Sequence, residues 1–528
     1  MPLVTILFSM VMMYVTSFGI NVIIGAIVQD FQTTVSNVQF VIVSASLIAG
    51  SLMVTAGKLG DKFGKKKIFS LGVLLYTIGL TIVIFSPNIS VFTIAWGVIW
   101  PLGMVLVIPT SIAIIVSIYE GEQRAAAFGI YGAVLAAISA IAPVVVGYLA
   151  NTMDWRVALA ISPIAGVLTL FLAMRLPEMA KDQNVKIDIL SVILSVLGFG
   201  LFLITTTSAG QYGWLMEKRP FMLGGEQLSL GGFSIVPVGY AISVAFLIGF
   251  ILRGVKLKSS GQSPLLAVSI LKNRTFTIGM LIGASLFLVT AGALFGISVF
   301  LQAGVKFDSL QTALTLLPYS AAYAVVSFVT PNLGKKILPK FIVIGGSVMT
   351  ILSLWWLGQS VSMEMAPMDI LPHMIALGIG MGLIMAQITT VTMSTVALEE
   401  AGEASGLSET LKEIIGQGFA VALAGSVLFG AVYASMADSF SEIESQNYSE
   451  AEKLELIVEM ENKFESISED EEEKWVNELP EKTKAAYPEI VKKAAESGLR
   501  NVMNMMMLCM ALGLLLAFFL PTRAGAPD

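Results

Sequence analysis

A chain of 528 residues that is 56% hydrophobic and 13% charged, with a mean hydropathy of +0.83, reads as a polytopic membrane protein rather than a soluble one. One histidine, His373, and one cysteine, Cys509, exclude a disulfide framework and any His/Cys metal site, and make a buried enzyme a poor fit. The net charge of −6 hides two regions: residues 436–500 hold 18 Asp and Glu against 8 Lys and Arg, whereas the rest holds 19 acids and 23 bases.

A spanning helix needs roughly 20 apolar residues. Fourteen such runs follow one another, at about 4–27, 38–57, 68–86, 91–117, 127–150, 156–175, 187–208, 235–254, 276–301, 309–330, 341–358, 370–394, 408–434 and 501–520. The first is too long for a signal-peptide core and reads as an uncleaved helix. Between the second and third lies Gly57-Lys-Leu-Gly-Asp-Lys-Phe-Gly-Lys-Lys-Lys67, with five lysines, Asp61, and glycines at 57, 60 and 64. Translocating clustered lysine is disfavoured, so this stretch belongs on the cytoplasmic side and orients the rest. With both termini cytoplasmic, the inner loops and tail collect 19 bases and the short outer loops only Arg156, Lys218, Arg219 and Lys306. The acidic stretch 435–500 then falls outside, where apolar residues at helical spacing (Leu454, Ile457, Val458, Phe464, Ile467) and Pro480 and Pro488 point to short helices in a cap. The alternative is a solvated spacer.

The pattern Gly57-x-Leu-Gly60-Asp61-Lys62-x-Gly64-Lys65 resembles the signature loop between the second and third helices of major facilitator transporters. The simpler alternative is a generic positive-inside turn. Ala142-Pro143-Val-Val-Val-Gly147 in the fifth span is similar to the kinked motif of that superfamily's antiporters, with Ala142 and Val146 departing from it; ordinary helix packing is the alternative. Asp154-Trp155-Arg156 resembles the Trp-Arg pair of drug antiporters, although an interfacial aromatic belt accounts for it equally. Gln211-Tyr-Gly-Trp214, Ser263-Pro-Leu-Leu266, Lys272-Asn-Arg-Thr-Phe276, Leu317-Pro318 and Gly402-Glu-Ala-Ser-Gly406 look like the fourteen-helix drug:proton antiporter family. Pro331-Asn-Leu-Gly-Lys-Lys336 echoes the lysine-rich loop in the second half without its Asp, as repeated halves would.

That resemblance implies an all-α major facilitator fold. It has an N-terminal six-helix bundle over 1–178 and two extra central helices over 179–262. A C-terminal bundle opens at 263–434, followed by the insert 435–500 and the last helix and tail over 501–528. It implies that Gly57, Gly60, Asp61, Lys62, Gly64 and Lys65 form a gating loop, and that Pro143 and Gly147 mark antiport. The family's acidic residue in the first helix falls on Thr16 and its arginine in the fourth on Gly97, so both chemistries are missing here.

Ionisable groups inside a membrane are expensive, and therefore functional candidates. Glu413, one turn or more into the thirteenth span, is the best remaining carboxylate for proton coupling, with Glu409 on its face at i, i+4 and Lys412 about 100° away; a cytoplasmic helix-end carboxylate in water is the alternative. Asp30 and His373 lie at outer helix ends and rank below it. Asn21, Gln302, Tyr319, Tyr323 and Gln387 are candidates for lining a substrate pathway, or they bond across helices. Gly378-x-Gly-x-Gly382 lacks the strand a phosphate loop needs and reads as helix packing.

The reading is a transporter that exports lipophilic small molecules by alternating access, coupled to protons. It needs no cofactor, metal or nucleic acid, sits among membrane lipids, and offers its acidic insert to an extracytoplasmic partner. An uncoupled facilitator of another solute, and a non-transporting sensor or scaffold using the insert, are the alternatives.

Overall fold

Hydrocarbon offers backbone N–H and C=O groups no partners, so apolar runs of this length must satisfy them internally as helices. The computed structural model describes residues 2–179, 187–223, 226–228, 230–260, 262, 264–265, 271–333, 337–394, 401–444, 452, 457–458, 460, 474–477, 479 and 481–521. Ser263, Leu266, Gly334–Lys336, Leu454, Phe464, Ile467 and Pro480 of the sequence readings lie outside these residues, as do the side chains of Gly402, Glu403, Ser405 and Gly406.

The N-terminal half begins with α1 (Pro2–Gly19) and α2 (Ile24–Phe31), and continues with α3 (Val35–Phe63) and α4 (Lys65–Ile84). Then come α5 (Ile89–Ile94), α6 (Trp100–Ile118), α7 (Gly121–Thr152) and α8 (Trp155–Ala173). The central pair is α9 (Ile189–Tyr212) and α10 (Val236–Ser259), joined across a short antiparallel hairpin, β1 (Phe221–Leu223) with β2 (Glu226–Leu228). The C-terminal half contains α11 (Arg274–Val299), α12 (Ser309–Leu333), α13 (Pro339–Ser360), α14 (Pro367–Ser394), α15 (Ala401–Leu411), α16 (Ala420–Glu444) and α17 (Glu481–Ala517). Among the described residues, fourteen helical segments are long and apolar enough to cross a membrane, as the sequence implied.

Several spans are interrupted rather than straight. The first, read as one run over 4–27, is broken by a single 3-10 turn at Ile20–Val22 between α1 and α2. Wide π turns occupy Ala95–Ile99 between α5 and α6, Phe300–Gly304 after α11, and Lys412–Phe419 between α15 and α16. Such turns add a residue to the helix circumference and often mark functional positions.

Small residues set the close helix crossings, as expected where lipid supplies no hydrophobic drive between helices. A Cβ on Gly72 of α4 would lie 3.0 Å from the Gly103 carbonyl oxygen of α6, so these backbones touch. In α14, Gly378 and Gly382 face the Tyr319 and Tyr323 carbonyls of α12, while Gly380 faces Thr350 of α13. The Gly-x-Gly-x-Gly run is thus a two-sided packing surface between helices.

The central pair forms a hairpin, with the Ser243 hydroxyl of α10 donating to the Gly198 carbonyl of α9 at 2.8 Å. Asp188 caps α9 by accepting from the Ser191 N–H at 3.0 Å, and also holds Arg253 of α10 in a two-point ion pair at 2.8 and 3.1 Å. The Arg253 guanidinium holds the Asp188 carboxyl well below the usual carboxylate range. α9 packs on α3 from one half and on α16 from the other; α10 leans on α9 and exposes Ile242, Ile248 and Leu252.

The helices flanking the acidic insert run further than the apolar pattern did: α16 continues to Glu444 and α17 already starts at Glu481. Pro488, read as a break, lies inside α17. It is the eighth residue of the helix, past the first turn, so its missing N–H leaves the Lys484 carbonyl without its usual i+4 donor while the helix continues. Tyr433, Met436 and Phe440 of α16 pack with Trp475, Tyr487 and Ile490 into a small hydrophobic core of their own. This cap is fastened to the C-terminal half. Lys492 pairs with Glu364 at 2.7 Å, Glu496 accepts from the Met363 N–H at 3.0 Å, and Arg500 donates to the Gly358 carbonyl at 3.2 Å.

Candidate functional site

The lysine-rich stretch is mostly helix rather than loop. α3 carries Gly57, Gly60, Asp61 and Lys62 to its end at Phe63, and α4 begins at Lys65. Gly64 alone makes the reversal, at φ 104°, a region that strains any residue with a Cβ. A Cβ on Gly60 would lie 3.0 Å from the Thr110 side chain of α6, so this glycine sets the approach of those two helices. Asp61 stands 3.8 Å from Lys65, whose ammonium also donates to Ser117 at 2.8 Å. Lys66 donates to the Met174 and Leu176 carbonyls at 3.0 and 2.8 Å, placing a cation on the negative end of α8. Lys58 reaches the Pro264 carbonyl, beyond the central pair.

Among the described residues, three contacts carry most of the meeting between the two halves. The first joins α3 to the helix carrying Glu413: Gly50 faces Ile414, Ser46 faces Gly418, and the Gln39 amide donates to the Val421 carbonyl at 2.9 Å. The second joins α7 to α12. Here a Cβ on Gly147 would lie 2.6 Å from the Ser309 carbonyl oxygen and 2.8 Å from the Ala313 methyl. Pro143 stands four residues earlier in α7, which runs unbroken through it. Val146, the departure from the kinked motif, packs onto Gly19 of α1, so the close approach persists with the small residue on the opposite helix. In the third, Gln302 reaches the first span, donating to the Asn21 carbonyl and accepting from the Gly25 N–H, both at 2.7 Å.

Glu413 lies in the wide turn Lys412–Phe419, against the first of these contacts, and the Ser46 hydroxyl of α3 hydrogen-bonds to it. Tyr14 of α1 and Tyr131 of α7 hydrogen-bond to each other in the neighbourhood of Glu409 and Glu413. Lys412 pairs with Glu409 at 2.7 Å and sits 5.2 Å from the Phe287 ring centre. Lys412 thus turns from its neighbour Glu413 to Glu409, three residues back, the spacing at which helical side chains meet. Two acids, one base, two phenols and a hydroxyl thus converge where four helices from both halves meet. Ser46, Tyr14 and Tyr131 were not singled out from the sequence. The phenols carried the same signal as Tyr319, a polar tip within an apolar span.

The other candidates are placed elsewhere. Asp30 pairs with Arg156 at 2.7 Å, with Arg156 lying 4.4 Å over Trp155, so the Asp-Trp-Arg triplet ties α8 to α2. Tyr319 and Tyr323 stack at 6.0 Å along α12, and Tyr319 hydrogen-bonds to Thr290. The Gln387 amide donates to the Thr330 carbonyl at 3.1 Å inside the C-terminal half. His373 is buried against Trp356 and bonds to Ser360 at 3.1 Å. Thr16, at the position of the family's acid, hydrogen-bonds to Ser162 at 2.6 Å, and Gly97 lies in the wide turn Ala95–Ile99 against Ser44.

Fourteen candidate spans among the described residues, in two halves that meet through packed glycines and amide hydrogen bonds, define a polytopic membrane protein. The chain belongs to the Major Facilitator Superfamily, whose family model matches residues 6–421. It is 25% identical over 419 residues to the probable actinorhodin transporter of Streptomyces coelicolor, covering 78% of this chain and 69% of that one. It is 26% identical to the multidrug resistance protein Stp of Mycobacterium tuberculosis (79% and 73%) and 25% identical to the quinolone resistance protein NorB of Staphylococcus aureus (80% and 87%). A bacterial homologue of the human lysosomal transporter Spinster, in an inward-facing and unoccupied conformation, superposes with a TM-score of 0.60 at 14% identity, covering 100% of this chain and 98% of that one. An autoinhibited POT family peptide transporter gives the same score, identity and coverage. These two likenesses concern the fold.

Proposed function

We propose that the protein exports lipophilic small molecules across the cell membrane by alternating access, in exchange for protons taken up at Glu413. The observation that carries this reading is the placement of Glu413. An acid on a wide helical turn, bonded across the interface to Ser46, changes its surroundings whenever the halves re-pack. A proton exchanger needs a group that is neutral in one state and ionised in the other, and a desolvated carboxyl meets that need. The relatives' names, as multidrug and quinolone resistance proteins and a probable actinorhodin transporter, favour drug-like small molecules as cargo. Asp30 ranks behind Glu413 because its charge is already matched by Arg156. The lysine-rich stretch then faces the cytoplasm with both termini, where Asp61 and its lysines steady the closed state of that end, and the cap faces outward.

The test uses purified protein in liposomes with a fluorescent quinolone and an imposed pH gradient. Glu413→Gln copies the neutral acid at constant shape, so it abolishes accumulation against a gradient and preserves passive exchange. Glu409→Gln does less. Accumulation by Glu413→Gln at the wild-type rate would remove Glu413 from the coupling role and favour an uncoupled carrier.

A further inference from the structure

In an unbroken helix the Gly25 N–H would donate to the Asn21 carbonyl, four residues back. The 3-10 turn at Ile20–Val22 parts the two, and the Gln302 side chain from the other half takes both. Its Nε2 donates to the Asn21 carbonyl oxygen and its Oε1 accepts from the Gly25 N–H, each at 2.7 Å. A carboxamide offers the same donor and acceptor as a peptide group. Gln302 is therefore spliced into the first span in place of one missing rung. Its second amide hydrogen goes to the Ser298 carbonyl of its own helix at 3.2 Å, and the side chain is 9% exposed, so the amide is well satisfied there. Gly25 leaves the necessary room: a Cβ at that position would lie 3.1 Å from Oε1 and 3.5 Å from the Gln302 Cβ.

We propose that Gln302 is a conformational latch at the end of the molecule remote from the lysine-rich stretch. With the halves together, Gln302 completes the broken turn. When they part at that end, the amide withdraws and the Asn21 carbonyl accepts from Gly25 directly, so the first span closes into a continuous helix. Both arrangements satisfy the same two backbone groups, which is what makes the element two-state rather than graded. The broken first helix is the mark of the joined state. This inference rests on the alternating-access reading above, and is independent of which residue carries the proton.

The test is a distance measurement. Spin labels at Asn151→Cys in the N-terminal half and Met368→Cys in the C-terminal half, both exposed at this end, are read by double electron–electron resonance in nanodiscs, in a Cys509→Ala background. Gln302→Met keeps the volume and removes both bonds; Gly25→Ala presses on the amide from the other side. Separation exchanges two interhelical bonds for one within the helix, so each variant raises the ratio of separated to joined molecules roughly five- to tenfold over the parent. If Gln302→Met fails to accumulate, Gly25→Ala carries the test alone. Two distances in the parent whose ratio neither variant changes would overturn the latch. A single distance under every condition would overturn alternation at this end, and the latch with it.

Discussion

The contact between Gly19 and Val146 makes a sharp test of how α1 and α7 are held. A Cβ built on Gly19 lies 2.7 Å from one γ-methyl of Val146 and 3.0 Å from both its Cβ and its other γ-methyl. The backbone of Gly19 is right-handed helical (φ −74°, ψ −27°), so alanine meets no conformational strain there and gains helix propensity of at most about 1 kcal/mol. Overpacking costs about 1–3 kcal/mol, and a β-branched side chain in a helix has little rotamer freedom with which to yield. Gly19→Ala should therefore destabilise by about 1–2 kcal/mol net. Val146→Ala should rescue it only in part, because the Val146 Cβ itself is 3.0 Å away. Val146→Gly should rescue it fully. The assay is the apparent thermal midpoint in detergent, read as a double-mutant cycle with a coupling term of at least about 1 kcal/mol between the two positions. A neutral Gly19→Ala, or additive effects with Val146→Gly, would refute the reasoning.

Two further outcomes follow from the ion pair of the central hairpin and from the cap. Asp188→Asn keeps the α9 cap and loses the pair with Arg253, lowering stability by about 0.5–1 kcal/mol, whereas Asp188→Ala loses both and costs about 1–2 kcal/mol. Because the folded-state pKa of Asp188 is depressed, the pair's contribution is fully present above the unfolded value near 4 and is lost as pH falls through the folded one. The gap between wild type and Asp188→Asn should thus be constant near neutrality and shrink below about pH 4, as followed by thermal unfolding across pH. In a Cys509→Ala background, an impermeant maleimide should label exposed Glu489→Cys in intact cells; labelling only after lysis would reverse the proposed orientation.

The fourteen spans were legible because membrane burial demands long apolar runs, and the family because its loop motifs are dense in glycine and lysine. Where each helix stops was less so. The sequence of α16 turns polar after Ala434 while the helix continues to Glu444, because Tyr433, Met436 and Phe440 still have a face to pack on. The wide turn that begins at Lys412 was not legible, because a π turn leaves no mark in the apolar spacing of the span. The partnership of Gln302 with Asn21 and Gly25 joins residues about 280 positions apart through a broken helix, and neither periodicity nor composition reports a break. Gly19 could have been anticipated: a glycine missing from one face of a tight crossing has to reappear on the other.

The cap has a mechanical consequence. α17 spans 37 residues, about 55 Å at 1.5 Å per residue, well beyond the roughly 30 Å of hydrocarbon. Its outer part is pinned to Glu364, Met363 and Gly358, all in the C-terminal half, so the cap is a rigid arm on that half. Under the rocking proposed above, an arm of about 40 Å measured from mid-membrane would sweep its tip about 7 Å for each 10° of rotation, turning a small rotation inside the bilayer into a large excursion in water. On the proposed orientation, a molecule that grips the tip of that arm would work against the cycle from outside, without entering the substrate path.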